Sequence, residues 1–326
     1  MRRIGIFAFA LPFMLCAIVA QADALPSWND TAPKRAIVAF VERITDAGGA
    51  DFMPAAHRVA VFDMDGTLIP EKPVPAALSP IVGDVKAAVA KHPALGEKPA
   101  IAALLKGDVA GVVAAGPEGQ VDIIGAAIDG RTTEEVGADF AKAVGAMKDP
   151  KWHRTWPDLG YQPMKELFAY LRENGFDIWI CSGSPVLFTR QFSQSTFGVP
   201  PDHVIGSSLA TKLVERDGRT VLVYTDTAYV NDKDGKPPAI EHAAGQRPVF
   251  VGGNVGGFGD IAMMRWSKDR DGPSFQLLIN HDDAAREFAY AEKDGASLSA
   301  AAKYGFTVVN MAADWKTIFE PAATAP

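Results

Sequence analysis

Asp63 and Asp65 stand two residues apart in the stretch Phe62-Asp-Met-Asp-Gly-Thr67, directly after the apolar run Val59-Ala60-Val61-Phe62. A short run of this kind reads as a buried strand, with the acids placed where it ends. The chain then turns through Gly66, which rotates the second carboxylate back so that both can face one cavity. Two carboxylates in different environments can divide the work of covalent catalysis. Asp63, ionised and bound to a metal, would attack, and Asp65 would serve as acid and then as base. The competing reading is a solvated turn, because Asp-Gly is a common turn dipeptide. The apolar strand before the pair and Thr67 after it favour chemistry.

The elements that must position these acids are visible in the periodicity of the chain. Residues 31–49 predict a helix with Ala36, Ile37, Phe40, Val41 and Ile44 on one stripe and Gly48-Gly49 as its stop. From Glu71 to about Tyr161 the texture changes to alanine-rich stretches that predict several short helices and few strands. Thr132 and Glu135 have capping-box spacing before the last of these. Alternation then returns. Residues 163–175 predict a helix with Met164, Leu167, Phe168 and Leu171 on one face, 176–184 a strand and turn, and 185–198 a helix. A strand at 203–209 precedes a hairpin at 211–225 that turns on Asp217-Gly218. Two buried strands at 247–253 and 274–280 and a helix at 283–293 follow. Such alternation implies an α/β protein with a parallel sheet covered on both faces. Ligands on these sheets collect at the carboxyl ends of the strands, and every candidate functional segment falls at such an end.

Composition narrows the classes of partner. The 326 residues carry a net charge of −7 with no block of like charge, which gives no basis for wrapping nucleic acid or anionic lipid. Arg2-Arg3, the apolar run from Ile4 to Ala20 and the small-residue site Ala22-Asp23-Ala24 have the layout of a secretory signal peptide. Cleavage after Ala24 would release a periplasmic or secreted protein with no membrane attachment. An uncleaved anchor is the alternative, disfavoured by Pro12 and by the length of the run. Leu15 before Cys16 argues against a lipoprotein. With Cys16 in the leader, Cys181 stands alone and cannot form an internal bridge, and its neighbours Trp179 and Ile180 suit buried packing.

The stretch VFDMDGT resembles the first motif of the haloacid dehalogenase superfamily, in its phosphohydrolase branch. The dehalogenases of that superfamily lack the second aspartate. IWICSGS is similar to the second motif, DKDGKPPAI to the third and VFVGGNVGGFGD to the fourth, in the family's order. The resemblance implies a Rossmann-like core with a helical cap inserted after the first motif. The expected division is 1–24 signal peptide, 25–71 first part of the core, 72–160 cap and 161–326 second part of the core. It further implies Mg²⁺ held by Asp63, the Asp65 carbonyl and a later carboxylate, with Thr67, Ser182, Gly183 and Lys236 as phosphate ligands. Lys233 competes with Lys236 for its role.

The fourth motif departs from the family pattern. Members carry Gly-Asp or Gly-Asn with an aspartate four residues on, whereas here Gly253-Asn254 is followed by Asp260 and position 258 is Phe. A two-residue insertion accommodated by glycines restores the register, making Asp260 the expected third metal ligand. Its alternative role is a plain helix cap. Asn254 keeps an oxygen for a metal-bound water; His281 in His281-Asp282-Asp283 is a candidate neighbour of the site, and capping of the helix expected at 283–293 by His281 and Asp282 is the favoured alternative. Trp152, Trp156 and Tyr161 read as core packing in preference to an aromatic substrate box. The implied activity is a phosphomonoesterase acting on small phosphate esters through an aspartyl-phosphate. A weakened member that binds a phosphate ester or metal without turnover, and a phosphotransferase, are the alternatives. Substrate identity and oligomeric state are not encoded in any readable motif.

Overall fold

A computed structural model describes residues 23–73, 76–256 and 259–321. The expected leader lies outside the described residues up to position 22. Seven strands form one sheet: β1 (Val59–Phe62), β2 (Asp177–Pro185), β3 (Val204–Arg216), β4 (Arg219–Tyr229), β5 (Phe250–Asn254), β6 (Phe275–Asn280) and β7 (Thr307–Asn310). Their order is β4-β3-β2-β1-β5-β6-β7. Every neighbouring pair is parallel except β3 and β4, which form the hairpin expected at Asp217-Gly218. The fold is thus α/β with a Rossmann-like sheet, and the strand order reverses between β1 and β5. That reversal opens a crevice at the carboxyl ends of these two strands.

All four residues of β1 are buried, as a central strand covered on both faces requires. The helix α1 (Ala32–Thr45) buries Ile37, Phe40, Val41 and Ile44, the stripe read from the sequence. Between β1 and β2 lie α2 (Leu78–Lys91), α3 (Pro99–Lys106), α4 (Val109–Ala114), α5 (Gly116–Ile128) and α6 (Thr133–Ala146). Both halves of the capping box at the start of α6 are formed by Thr132 and Glu135. The helical insert leans on the hairpin through backbone bonds: Gly130 N–H donates to the Tyr224 carbonyl (3.1 Å), and Tyr224 N–H to that of Arg131 (2.9 Å). α7 (Gln162–Glu173) returns to the core with Met164, Leu167, Phe168 and Leu171 buried. Phe62 of β1 packs between Phe168 and Phe250, with ring centroids 4.6 and 5.5 Å apart. Residue 252 must be glycine for this contact, since a Cβ there would come within 2.3 Å of the Phe62 ring. Among the described residues no helix is long and apolar enough to cross a membrane.

Two expected elements differ. The single helix expected at 185–198 is two short ones, α8 (Val186–Arg190) and α9 (Ser193–Phe197). Phe188, Phe192 and Phe197 are all buried there, and the five-residue step from 192 to 197 overshoots one helical face. The break turns Phe197 inward. The helix expected at 283–293 does not form: residues 284–286 are a turn, and Tyr290 N–H bonds back to the His281 carbonyl at 3.0 Å. Glu287 is drawn into the interior by the Tyr161 hydroxyl (3.1 Å), and a chain folded back on itself in this way cannot continue as a helix. The remaining helices are α10 (Lys236–Ala244), α11 (Ile261–Lys268), α12 (Ala296–Tyr304) and α13 (Met311–Asp314).

Phe62→Ala removes the ring at the centre of this cluster and should lower unfolding free energy by about 3–5 kcal/mol in a denaturant titration.

Candidate active site

The chain leaving β1 turns sharply. Gly66 N–H donates to the Ile69 carbonyl (2.7 Å), and the N–H groups of Thr67 and Leu68 return to that of Met64 (3.2 and 2.8 Å). Gly66 has φ +78°, and a Cβ there would lie 2.1 Å from the Asn254 side chain. The turn places Asp63 and Asp65 in one cavity of about 220 Å³ at the reversal of strand order. Gly183 and Ser184 from the end of β2, Asn254 from β5, Lys236, Asp260, Glu71 and Asp232 share its lining. The insert contributes Ala77, Ile81, Gln120 and Ile124.

Lys236, the first residue of α10, is buried with its Nζ 2.6 Å from Asp63 Oδ1 and 2.6 Å from Asp260 Oδ1. Lys233 is exposed and makes no such contact, so position 236 carries the motif's lysine to the site. Asp260 precedes α11 but its side chain does not cap the helix; Oδ2 accepts the N–H of Asn254 (3.0 Å). Gly253 permits this approach, because a Cβ there would meet Asp260 at 2.5 Å. Asp65 sits differently: its Oδ2 accepts the Ser184 hydroxyl (2.6 Å) and, more weakly, that of Ser182 (3.4 Å), while Oδ1 is buried with no hydrogen-bond partner.

These environments separate the acids electrostatically. Burial first, then the negative charge of Asp260, pushes the Asp63 carboxyl well above the usual carboxylate range, against the pull of Lys236. Burial raises Asp65 as well, opposed by the Ser184 hydroxyl and Lys236. Burial works against the charge of Lys236, but Asp260 and Asp63 overcome it and hold the ammonium well above its ordinary value. Asp63 and Asp260 share one lysine and Asp65 lies beside them in the cavity, so a further positive charge would favour the ionised forms. Among the described residues no three His, Cys, Asp or Glu side chains form a ready-made cage. The donors are oxygens only, two of them carboxylates beside the first acid's turn. That set fits Mg²⁺, which takes few carboxylates and keeps waters, better than it fits a softer metal.

Other expected residues are placed as follows. Gly183 lines the cavity. Thr67 and Ser182 are fully buried and outside its lining: the Thr67 hydroxyl donates to Asn254 Oδ1 (3.2 Å), and Ser182 Oγ accepts the N–H of Ser184 (3.0 Å). Asn254 is thereby tied to the acid turn from behind. His281 lies under the same turn, its Nε2 2.7 Å from the Gly66 carbonyl. Asp282 accepts the N–H of Ala312 and makes no contact with the cavity lining. Trp156 and Tyr161 are buried in the core, and Trp152 packs edge-on against Phe288 and Phe319. Cys181 is buried, and burial pushes its thiol up to about 12.

Several residues were not singled out from the sequence. Ser184 was legible, being the second serine of Ser-Gly-Ser. Glu71 follows the first motif closely, yet it read only as the start of the insert. Asn231, whose amide donates to the Ser182 carbonyl (2.8 Å), and Glu287, which accepts the Tyr161 hydroxyl (3.1 Å), had no signal, since these contacts are distant in sequence.

A crevice at the strand reversal, two aspartates leaving the first strand and a helical insert after them define a class of α/β fold with a carboxylate-lined cavity at the switch point. Residues 60–260 match the model of the haloacid dehalogenase-like hydrolases, and the chain belongs to that family. No curated protein matches the chain. Among solved structures, a conserved functionally unknown protein from Anaerococcus prevotii is similar at 16% identity and a TM-score of 0.54, over 85% of this chain and 91% of that one. A phosphoserine phosphohydrolase-like protein from Francisella tularensis matches at 16% identity with a TM-score of 0.39, over 74% of this chain and 98% of its own.

Glu71 gives the site a pH signature. Burial, against the pull of Lys72, pushes its carboxyl from 4.5 to about 7. Between these values the folded state holds a proton that the unfolded state has released, so stability falls as pH rises. The protonated form's contribution is complete below about pH 4.5 and gone above about pH 7. Glu71→Gln should remove this decline, on the order of 3 kcal/mol, from unfolding free energies compared at the two ends of that window.

Proposed function

We propose that the protein is an exported, Mg²⁺-dependent phosphomonoesterase that hydrolyses small phosphate esters through an aspartyl-phosphate at Asp63. The observation that carries this reading is the difference between two aspartates in one cavity: Asp63 is paired with a buried ammonium, and Asp65 with neutral hydroxyls. Lys236, together with Mg²⁺ when bound, would oppose the burial and the Asp260 charge that raise Asp63, so that the carboxylate could stand ionised and attack phosphorus. A carboxyl raised by burial and bonded to hydroxyls can hold a proton for the leaving group.

In the first step a bond forms between an Asp63 oxygen and phosphorus, and the ester P–O bond breaks. Asp65 gives its proton to the departing alkoxide. In the second step Asp65 takes a proton from water, which attacks the aspartyl-phosphate and releases inorganic phosphate with Asp63 restored. Phosphoryl transfer spreads negative charge over the equatorial oxygens. Lys236 and the Gly183 N–H are the chain's own groups available to meet it. Asp63, the Asp65 carbonyl and Asp260 would hold Mg²⁺, which supplies the positive charge that the carboxylates need in order to stand ionised beside a phosphate. A cavity of about 220 Å³, smaller than most ligand pockets, suits a phosphate with a short alcohol. Cleavage of the expected leader after Ala24 would put the reaction outside the cytoplasm.

p-Nitrophenyl phosphate should be hydrolysed with Mg²⁺ and not with EDTA, and Asp63→Asn should lower kcat at least about a thousand-fold. Asp260→Ala should raise the Mg²⁺ concentration needed for half-maximal rate. Absence of turnover over a broad panel of phosphate esters would leave a phosphate-binding protein, and a second product on adding glycerol would mark a phosphotransferase.

A further inference from the structure

We propose that His281 is a positioning residue for the acid–base step, holding the Asp65–Gly66 turn through the Gly66 carbonyl while Glu287 and Tyr161 hold the imidazole. The inference rests on the phosphatase reading above. A carbonyl can only accept a hydrogen bond, so the 2.7 Å contact fixes a hydrogen on Nε2 of His281. On the far side of the ring, Nδ1 lies 3.2 Å from Glu287 Oε2. That carboxylate also accepts the Phe288 N–H (2.6 Å) and, on Oε1, the Tyr161 hydroxyl (3.1 Å). His281, Glu287 and Tyr161 are all 2% exposed or less. Tyr290 stacks on the imidazole at 4.3 Å between centroids and 20° between planes.

A buried polar chain of this kind is costly compared with apolar packing of the same volume. It ends on a single backbone carbonyl, and that carbonyl belongs to the residue next to the acid. Glycine is the most permissive residue in the backbone, and Gly66 already stands at φ +78°. Its carbonyl shares a peptide plane with the Thr67 N–H, which bonds to the Met64 carbonyl at a long 3.2 Å; the 2.7 Å bond from His281 is the tighter hold on that plane, and losing it would loosen the turn that carries Asp65. Ser184 and Ser182 hold Asp65 by its side chain. His281 holds it by its backbone. The failure of residues 283–293 to form a helix has the same cause, since the fold-back brings Glu287 beneath the ring.

The test exploits the different needs of two leaving groups. p-Nitrophenolate departs with little help from an acid, whereas an alkyl alcohol requires protonation as it leaves. His281→Phe keeps a ring against Tyr290 and removes the donor; His281→Gln keeps an N–H able to reach Gly66. Relative to the unaltered chain, His281→Phe should lower kcat/KM for glycerol phosphate at least about ten-fold more than for p-nitrophenyl phosphate, within the range that a general acid contributes. His281→Gln should recover most of that difference, and Glu287→Gln should shift it in the same direction as His281→Phe. Where circular dichroism shows that His281→Phe does not fold, Glu287→Gln and Tyr161→Phe carry the comparison. Equal losses on the two esters, no loss, or a glutamine variant no better than phenylalanine would overturn the role of His281 and leave the phosphatase reading intact. An unaltered chain that hydrolyses neither ester would overturn both.

Discussion

The buried ammonium of Lys236 sits 2.6 Å from each of two buried aspartates, and the arrangement of the site follows from that contact. Two carboxylates so close repel, and neither could stand ionised there alone. The lysine must therefore arrive on a rigid element, and it does so as the first residue of α10. Asp260 must be fixed as firmly, which requires the Asn254 N–H and a side-chain-free Gly253 beside it. Asp65 escapes the pairing and is left to hydroxyls. The proposed division between nucleophile and acid thus rests on which carboxylate the lysine reaches.

Six of the seven strands were legible in the sequence as apolar runs, although β3 read as two pieces, and β7 (Thr307–Asn310), only four residues long, was not read at all. The first acid pair was legible from the turn that follows its strand, whereas Lys236 and Asp260 were legible through the resemblance of their segments to the family's third and fourth motifs. Thr67 and Ser182 were read as ligands from their type and place, yet each hydroxyl is turned to a neighbour that it helps to fix. A sequence reports which oxygens are near a strand end, and the packing behind the turn decides which of them face the cavity. The missed helix at 283–293 is the same limitation on a larger scale. Its alanines and alternating charges suit a helix locally, but a bond to Tyr161, more than a hundred residues earlier in the chain, overrides that preference.

The glycine-rich loop looks degraded beside the family pattern, and the structure gives its substitutions a use. Asn254 lacks the charge of an aspartate, so its side chain can accept from Thr67 and donate to the Val255 carbonyl, binding the loop to the acid turn. Glycine at 256 lets the chain pass the Tyr290 ring, where a Cβ would stand 2.8 Å away. Much of the loop's order comes from the segment after β6.

The bonds joining Gly130 and Arg131 to Tyr224 have a consequence for how substrate reaches the cavity. An insert joined to its core only by two connecting strands of chain can swing as a door. This one has a third attachment, and that attachment is backbone continuing out of a strand of the central sheet. Any rotation would have to carry the hairpin with it or break the bridge. The wall that the insert supplies to the cavity is thereby tethered to the sheet as well as to its own two connections.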